Sequence, residues 1–373
     1  MNDYVNQLIP SGIRRFTALT KATPGCVSLT IGEPDLDTPA PIREAAARAL
    51  AAGRTHYAPN KGTDALRKAI AEYETGRGMP CKPEQVLVTV GATGALNTAL
   101  SCILNPGDEV IIPTPAISLY ESITVAAGAK PVFLDLSKTD FQIDPDALAA
   151  CVTPGTRAIV INSPCNPTGV ALNRQSLEAV YRTARQYDLY VLCDNVYMGL
   201  SEPGTPDLSL DFDLGGKLLY CQSFSKPYAM TGWRIGYLIA SPEQIDKFVL
   251  LQAAQIAAVP TFIQDAAITA LETDISAEQE IFRKRRSYVC TRLREMGLPF
   301  PHPDGAFYLF PDISAFGLSS EEFCLRMITH AGVAAVPGSV FGCEGHIRIS
   351  CCYSDRELEE GLNRLEHFIH TLL

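Results

Sequence analysis

From residue 84 to residue 240, short and largely apolar segments alternate with segments rich in helix-forming residues. The apolar segments are residues 86–90, 109–112, 131–134, 157–161, 189–193, 218–222 and 235–240. Strands that are apolar along their whole length are typical of a mostly parallel sheet that is covered on both faces. Their alternation with helices predicts an α/β fold. We therefore expect a seven-stranded, mostly parallel sheet between helices.

The last third of the chain has a different pattern. Strands are predicted at residues 306–310, 333–336 and 346–350, and helices at residues 320–331 and 355–372. A length of 373 residues is enough for about two domains. We expect a large domain at residues 38–285, and a smaller α+β domain formed by residues 1–37 together with 286–373.

The composition excludes several classes of partner. The net charge is −10 and the pI is near 5.2, which argues against nucleic acid or an anionic membrane surface. No apolar segment approaches the roughly 20 residues that a membrane helix needs. Residues 1–10 contain no basic residue and no long apolar block, so a signal peptide is not expected. We predict neither a nucleic-acid nor a membrane partner.

The cysteines and histidines suggest neither disulfides nor a metal centre. No two of the twelve cysteines have the Cys-x-x-Cys spacing, and several lie inside apolar segments. This pattern favours reduced thiols in a cytoplasmic protein. The six histidines include no His-Glu-x-x-His motif, so no metal site is expected.

Polar residues follow four of the predicted strands, at the point where each strand ends. In an open parallel sheet, ligands bind at the carboxyl ends of the strands. The four strand ends are followed by Gly91-Ala92-Thr93, by Asn162 to Asn166, by Asp194 to Tyr197, and by Ser223-Phe224-Ser225-Lys226. Each group alone has an ordinary explanation, such as a helix N-cap for Asp194, a turn at Asn166, or a turn at Gly91 to Gly94 that connects a strand to the following helix. Their joint occurrence indicates a binding site.

The last of these groups indicates which ligand is bound. The hydroxyls of Ser223 and Ser225, with the guanidinium of Arg234, would hold a phosphate. The amine of Lys226 would react with an aldehyde. Pyridoxal phosphate carries both chemical groups, so the sequence predicts this cofactor.

Four motifs resemble those of the class I aminotransferases of pyridoxal-phosphate fold type I. They are Asn166-Pro167-Thr168-Gly169, Asp194-x-x-Tyr197, Ser223-x-Ser225-Lys226 and Gly232-Trp233-Arg234-x-Gly236. The resemblance covers nearly the whole chain. Residues 11–16 and 336–339 look most similar to bacterial aspartate and aminotransferase A enzymes, a group linked to N-acetyl-diaminopimelate as well as aspartate.

The resemblance implies a role for each residue of the cofactor site. Lys226 would bind the cofactor covalently and later move a proton, and Asp194 would keep the pyridine nitrogen protonated. Tyr197 and Asn166 would bind the ring O3′. Tyr57 would reach the phosphate of a neighbouring subunit, which implies a homodimer. The phosphate would be held by Gly91, Ala92, Thr93, Ser223, Ser225 and Arg234.

The substrate site is also implied by the resemblance. Arg348 would bind the α-carboxylate with its two-pronged guanidinium, assisted by Gly32 and Asn166. A dicarboxylic substrate needs a second cation, for which Arg15 is the expected residue, with Arg14 and Lys61 as further candidates. Ile117 stands where relatives place an aromatic ring on the cofactor, so it would cover the ring without π-stacking.

These features predict an aminotransferase that moves an amino group from an aspartate- or glutamate-type donor to a 2-oxo acid such as 2-oxoglutarate, by a ping-pong mechanism. The fold alone does not decide the reaction. A β-eliminating lyase acting on cysteine conjugates would use the same Lys226. A transaminase for N-acetyl-diaminopimelate or aromatic amino acids is another alternative, and a non-catalytic module is a third.

Overall fold

A computed structural model describes residues 2–372 of the chain. Its central feature is a seven-stranded sheet whose strands all lie between residues 86 and 239. In chain order, the strands are β1 (Val27–Ser28), β2 (Val86–Thr89), β3 (Glu109–Thr114), β4 (Lys130–Asp135), β5 (Thr156–Asn162), β6 (Tyr190–Asp194), β7 (Leu218–Ser223), β8 (Gly236–Ile239), β9 (Tyr308–Leu309), β10 (Val333–Ala334), β11 (Val336–Pro337) and β12 (Ile347–Ser350).

The large sheet has the strand order β2-β8-β7-β6-β5-β3-β4. Neighbouring strands are parallel except where β8 pairs with β2 and with β7, both antiparallel. The predicted seven-stranded, mostly parallel sheet is therefore confirmed. Adjacent strands end in register, since Asn162 pairs with Asp194 and Asp194 with Cys221. This register brings the polar strand ends to one edge of the sheet.

Helices cover both faces of the large sheet and surround the smaller sheets. In chain order they are α1 (Gly12–Ala22), α2 (Ala40–Ala51), α3 (Asp64–Gly76), α4 (Gly91–Ile103), α5 (Ser118–Ala126), α6 (Pro145–Ala150), α7 (Arg174–Tyr187), α8 (Leu208–Asp211), α9 (Pro242–Ile256), α10 (Thr261–Glu272), α11 (Ser276–Glu295), α12 (Ser320–Arg326) and α13 (Asp355–Leu372). A short π-helix at Met327–Ala331 follows α12 directly.

Alternate residues of the strands point to opposite faces of the sheet, and both faces are buried. On one face, side chains such as Leu87, Val110 and Leu192 pack with α4, α5 and α9. On the other face, Val88 and Ile159 belong to a cluster that includes residues of α2, α3, α7 and α10. Burial on both faces explains why the strands are apolar throughout.

A second core lies in the other part of the molecule. Strand β1 pairs with β10, and a three-stranded antiparallel sheet has the order β11-β12-β9. Helix α11 runs without interruption through residue 285, so the predicted domain boundary at that residue falls inside a helix. The division of the chain into two domains stays a prediction.

The segment Gly91-Ala92-Thr93-Gly94 differs from the sequence expectation. It was expected as a turn before a helix, whereas α4 already begins at Gly91. Gly91 has a φ of +66°, so the chain turns sharply at the residue that starts the helix. The N–H groups of the first helical turn therefore lie directly after β2. No helix within residues 2–372 is both long and apolar enough to cross a membrane.

Candidate active site

A cavity of about 410 Å³ opens at the carboxyl ends of the large sheet. It lies where the strand ends meet the segment around Gly32 and the three-stranded sheet. Most of the side chains predicted for the cofactor and substrate sites line this one cavity. They are Gly32, Ala92, Thr93, Ile117, Asn166, Asp194, Tyr197, Ser223, Ser225, Lys226, Arg234 and Arg348.

Asp194 is the last residue of β6, and its carboxylate is 3% exposed. The side-chain amide of Asn162 donates to the Asp194 carbonyl oxygen at 2.8 Å, which fixes the end of the strand. The hydroxyl of Tyr120 donates to the Asp194 Oδ2 atom at 2.6 Å. Burial raises the Asp194 pKa to about 6, and the Tyr120 hydrogen bond opposes that rise. A cationic partner in the cavity would stabilise the ionised carboxylate.

Lys226 reaches the cavity from the loop after β7. Its Nζ atom donates to the carbonyl oxygen of Gly32 at 2.5 Å. Burial lowers the Lys226 pKa to about 8, with smaller contributions from Arg348 and Arg234 in the same direction. A considerable fraction of the amine is therefore neutral near pH 8, the form that attacks an aldehyde. Gly32 cannot carry a side chain, because a Cβ atom would lie 1.7 Å from the Tyr308 hydroxyl.

The hydroxyls and the guanidinium predicted to hold a phosphate converge at the start of α4. Ser223 Oγ donates to Ser225 Oγ at 2.8 Å. A Cβ atom on Gly91 would lie 2.9 Å from Arg234 Nη2, so Gly91 lies under the guanidinium instead of lining the cavity. The N-terminus of a helix favours an anion, because its N–H groups are unpaired and its dipole is positive there. Together these groups form an anion site.

Arg348 also lines the cavity, from β12 of the smaller sheet. It is 1% exposed, and its Nη1 atom donates to Asn166 Oδ1 at 2.8 Å, while Nη2 donates to the Thr30 carbonyl oxygen. The guanidinium carbon lies 4.6 Å from the centre of the Tyr308 ring. Its buried Nε atom has no hydrogen-bond partner among residues 2–372. A buried, incompletely paired guanidinium suits an anionic ligand.

Tyr197 joins the two sides of the cavity. Its hydroxyl accepts from the Asn166 amide at 3.3 Å and shares a 2.9 Å hydrogen bond with the Tyr308 hydroxyl. Burial raises the Tyr197 pKa well above its usual value, so the phenol is neutral at pH 7. It is therefore a hydrogen-bond donor at the centre of the site.

Besides Gly91, the predicted site residues Arg15 and Tyr57 do not line the cavity of this chain. Arg15 is exposed and forms a 2.7 Å ion pair with Glu321 outside the cavity, and its assignment to the substrate stays a prediction. Its neighbour Arg14 lines the cavity instead. Tyr57 is 93% exposed on the surface. Lys61, the third candidate cation, pairs with Asp246 outside the cavity.

Tyr120 and Tyr308 are functional residues that the sequence reasoning did not assign. The fully buried hydroxyl of Tyr120 donates to Asp194. Its position three residues after Ile117, on the first turn of α5, was the available signal. Ile117 itself lines the cavity with an aliphatic side chain. Within residues 2–372, no group of three His, Cys, Asp or Glu side chains is arranged to hold a metal ion.

Comparison with known proteins agrees with this geometry. The family model "Aminotransferase class I and II" matches residues 24–365. The chain is 40% identical to an aromatic-amino-acid aminotransferase of Thermococcus litoralis and 41% identical to an aspartate aminotransferase of Pyrococcus abyssi, covering 98% of this chain and 97% of each relative. The crystal structure of an aspartate aminotransferase from Thermotoga maritima superposes with a TM-score of 0.95, at 34% identity, over 99% of this chain and 100% of the other.

The chain belongs to the class I and II aminotransferase family and has fold type I. It is an aminotransferase that uses pyridoxal phosphate. The residues of the cavity fit this cofactor: a lysine amine for the aldehyde, an anion site for the phosphate, and a buried carboxylate for the ring nitrogen. The clearance that Gly91 gives to Arg234 supports the phosphate end of this fit, because a side chain at position 91 would displace the guanidinium.

Proposed function

We propose that this aminotransferase takes an acidic amino acid, aspartate or glutamate, as donor and a 2-oxo acid such as 2-oxoglutarate as acceptor. The observation that carries the proposal is an excess of cations in the cavity. Four basic residues line it, Arg14, Lys226, Arg234 and Arg348, against the single carboxylate of Asp194. A site of this composition favours a ligand that carries several negative charges.

Three of the four cations have a function that does not depend on the donor's side chain. Arg234 is assigned to the cofactor phosphate, Lys226 to the cofactor aldehyde, and Arg348 to the α-carboxylate that all amino acids share. Arg14 has no ion-pair or hydrogen-bond partner among residues 2–372, although it is close to the cavity. It is thus available for a second carboxylate. Ser11 lines the same part of the cavity, and its hydroxyl forms no cap hydrogen bond with α1.

The same assignment gives each remaining residue a part in the reaction. When bound, pyridoxal phosphate supplies the electron-withdrawing ring that allows a proton to leave the α-carbon of the donor. Lys226 would act as the base that takes the proton from the donor, since its lowered pKa leaves part of the amine neutral. Asp194 would hold the ring nitrogen in its protonated form. Tyr197 and Asn166 would bind the ring oxygen by hydrogen bonds.

The proposal includes a homodimer in which Tyr57 reaches the phosphate of the partner subunit. A tyrosine that is 93% exposed has no partner in its own chain, which supports this part of the proposal. Sedimentation velocity would measure the mass in solution. A monomer at micromolar concentration with full activity would contradict the homodimer.

We also propose a cytoplasmic location, supported by twelve cysteines that form no disulfide within residues 2–372.

The substrate proposal is tested by the half-reaction with single donors. Purified holoenzyme is mixed with aspartate, glutamate, phenylalanine or alanine, and the conversion of the cofactor spectrum to the pyridoxamine form is followed. We expect Arg14→Gln to reduce kcat/KM for aspartate and glutamate by roughly 10- to 100-fold, and to change the values for apolar donors by less than about threefold. Arg15→Gln is the matched control, because its guanidinium pairs with Glu321 outside the cavity.

Three other outcomes would change the assignment. Equal losses for all donors would place Arg14 in general binding rather than in side-chain selection. Conversion by aromatic donors or N-acetyl-diaminopimelate alone would replace the acidic donor. Pyruvate and ammonia released from a cysteine conjugate, with no pyridoxamine form, would indicate a β-eliminating lyase. Lys226→Ala should abolish both turnover and the borohydride-trapped adduct, and a surviving adduct would refute the Lys226 assignment.

A further inference from the structure

Gln222 lies on β7 directly before the residues of the anion site, but it does not line the cavity. Its side chain is 6% exposed and bonds to two backbone groups. The Nε2 atom donates to the carbonyl oxygen of Asn195 at 3.0 Å. The Oε1 atom accepts from the N–H of Ser223 at 2.9 Å. One side chain thus joins the ends of two neighbouring strands.

The two backbone groups lie in the two segments that carry the residues assigned to opposite ends of the cofactor. The Asn195 peptide directly follows Asp194, the carboxylate assigned to the ring nitrogen. Ser223 begins the loop that carries Ser225 and Lys226, and its Oγ atom accepts from the Ser225 N–H at 3.0 Å. A displacement of either peptide would therefore move a residue that contacts the cofactor. The distance between the carboxylate and the serines depends on both peptides.

The surroundings of Gln222 offer these backbone groups no replacement partner. The Asn195 side chain is already occupied, since its Nδ2 atom donates to both carboxylate oxygens of Asp207, at 3.1 and 3.0 Å. The Tyr220 hydroxyl, 3.4 Å from Gln222 Nε2, donates to Glu74. Without Gln222, a buried N–H and a buried carbonyl oxygen would lose their partners, and the strand ends would shift to relieve the loss.

We propose that Gln222 is a positioning residue, whose amide fixes the separation between Asp194 and the Ser223–Lys226 loop and thereby the affinity of the site for pyridoxal phosphate. This inference rests on the cofactor roles proposed above for Asp194, Ser223 and Ser225. Gln222 does not line the cavity and would act through its two backbone partners.

The first test is the affinity of the apo-enzyme for pyridoxal phosphate. Gln222→Leu keeps the volume and removes both backbone hydrogen bonds, together with the 3.4 Å bond to the Tyr220 hydroxyl, so we expect the Kd to rise roughly tenfold or more. Gln142→Leu is the matched control. Gln142 also bonds to one backbone carbonyl, that of Ala171 at 3.1 Å, and one backbone N–H, that of Asn173 at 2.8 Å, but it lies outside the cavity. We expect the Kd of Gln142→Leu for pyridoxal phosphate to differ from the wild-type value by less than about threefold.

The second test replaces the amide with a carboxyl group. A protonated carboxyl at position 222 can donate to the Asn195 carbonyl, whereas an ionised one cannot. The Kd of Gln222→Glu should therefore approach the wild-type value at pH 6 and exceed it several-fold at pH 8.5, with wild type measured at the same two pH values. The acidic surroundings keep the introduced carboxyl protonated at pH 6. The titratable and charged groups around it are Glu74, Arg77, Asp194, Asp207, Tyr220 and Tyr237.

The outcomes separate this inference from the proposed function. A Kd for Gln222→Leu within threefold of wild type, or equal to that of the Gln142→Leu control, would overturn it. If Gln222→Leu does not fold, Gln222→Glu decides, and a ratio to wild type that is the same at pH 6 and pH 8.5 would also overturn it. Failure of the substrate proposal would appear instead in the donor panel, with cofactor affinity of the Gln222 variants still reduced.

Discussion

The hydrogen bond between Tyr120 and Asp194 gives the sharpest prediction about the electrostatics of the site. Tyr120→Phe removes one hydroxyl, 2.6 Å from Asp194 Oδ2, and leaves the fully buried ring in place. Burial already raises the Asp194 pKa to about 6, and the hydroxyl stabilises the ionised form. Its removal should raise this pKa further, because the carboxylate loses a donor and gains no other.

The size of the effect follows from the burial of both groups. A hydrogen bond to a charged group contributes about 1.5–3 kcal/mol, and 1.36 kcal/mol corresponds to one pH unit. The Asp194 pKa should therefore rise by about one to two pH units. A folded-state pKa above the unfolded value of 3.8 means that the folded protein binds the proton more tightly. Stability then falls as pH rises from the unfolded pKa to the folded one.

This linkage defines the assay. Urea unfolding of the apo-enzyme is measured at pH 5, 6, 7 and 8 at one protein concentration. In the wild type, the loss of stability on ionisation of Asp194 is nearly complete at about pH 6. In Tyr120→Phe the same loss continues above pH 7. The difference in unfolding free energy between wild type and Tyr120→Phe should grow by about 1–2 kcal/mol from pH 5 to pH 8.

A double-mutant cycle shows whether Asp194 is the cause. In an Asp194→Asn background, Tyr120→Phe should have an effect that does not depend on pH, because the titrating carboxyl is absent. A pH-dependent difference that persists in this background would refute the reasoning. So would a Tyr120→Phe effect that is the same at pH 5 and pH 8 in the wild-type background.

Two further predictions concern the cofactor ends of the site. Gly91→Ala places a Cβ atom 2.9 Å from Arg234 Nη2, at a residue whose φ is +66°. The affinity for the cofactor should therefore fall roughly tenfold, as measured by titration of the apo-enzyme. An unchanged affinity would exclude Arg234 from the phosphate site. Lys226 has a pKa of about 8 because it is buried, so the rate at which the apo-enzyme captures pyridoxal phosphate should increase with pH around a midpoint near 8; a midpoint near 10.5 would contradict the burial argument.

The strands could be predicted from sequence because their physical signal is local. Burial on both faces requires apolar residues at every position of a strand, which is visible in one short segment. The order of the strands in the sheet, in contrast, cannot be read from any one short segment of sequence. Nothing in the segment 235–240 distinguishes β8, which inserts antiparallel between β2 and β7, from its parallel neighbours. The start of α4 at Gly91 is not predictable for a related reason, since a glycine after a strand favours a turn and not the first residue of a helix.

Most of the residues predicted for the cofactor site line one cavity because they follow strands, and register brings strand ends together. Asn162 and Asp194 are paired neighbours in the sheet, so their side chains had to meet at one edge. No comparable rule predicts that Tyr120 and Tyr308 reach the site. Tyr120 lies on a helix and Tyr308 on a strand of the other core, and both reach the site through packing between distant segments. Contacts of this kind depend on the assembled fold.

The sequence alone does not show whether Arg14 or Arg15 faces the cavity, and the proposed substrate specificity depends on that difference. Consecutive residues of a helix point about 100° apart, so only one of the two side chains can face the cavity. The rotation of α1 is restricted by Gly12, where a Cβ atom would lie 2.5 Å from Val340. That close contact directs Arg14 to the cavity and Arg15 to Glu321. The position of the cation proposed to select the donor thus depends on a packing contact with a residue more than 300 positions away in the chain, and we expect a change at Val340 to alter donor preference in the half-reaction without touching a charged residue.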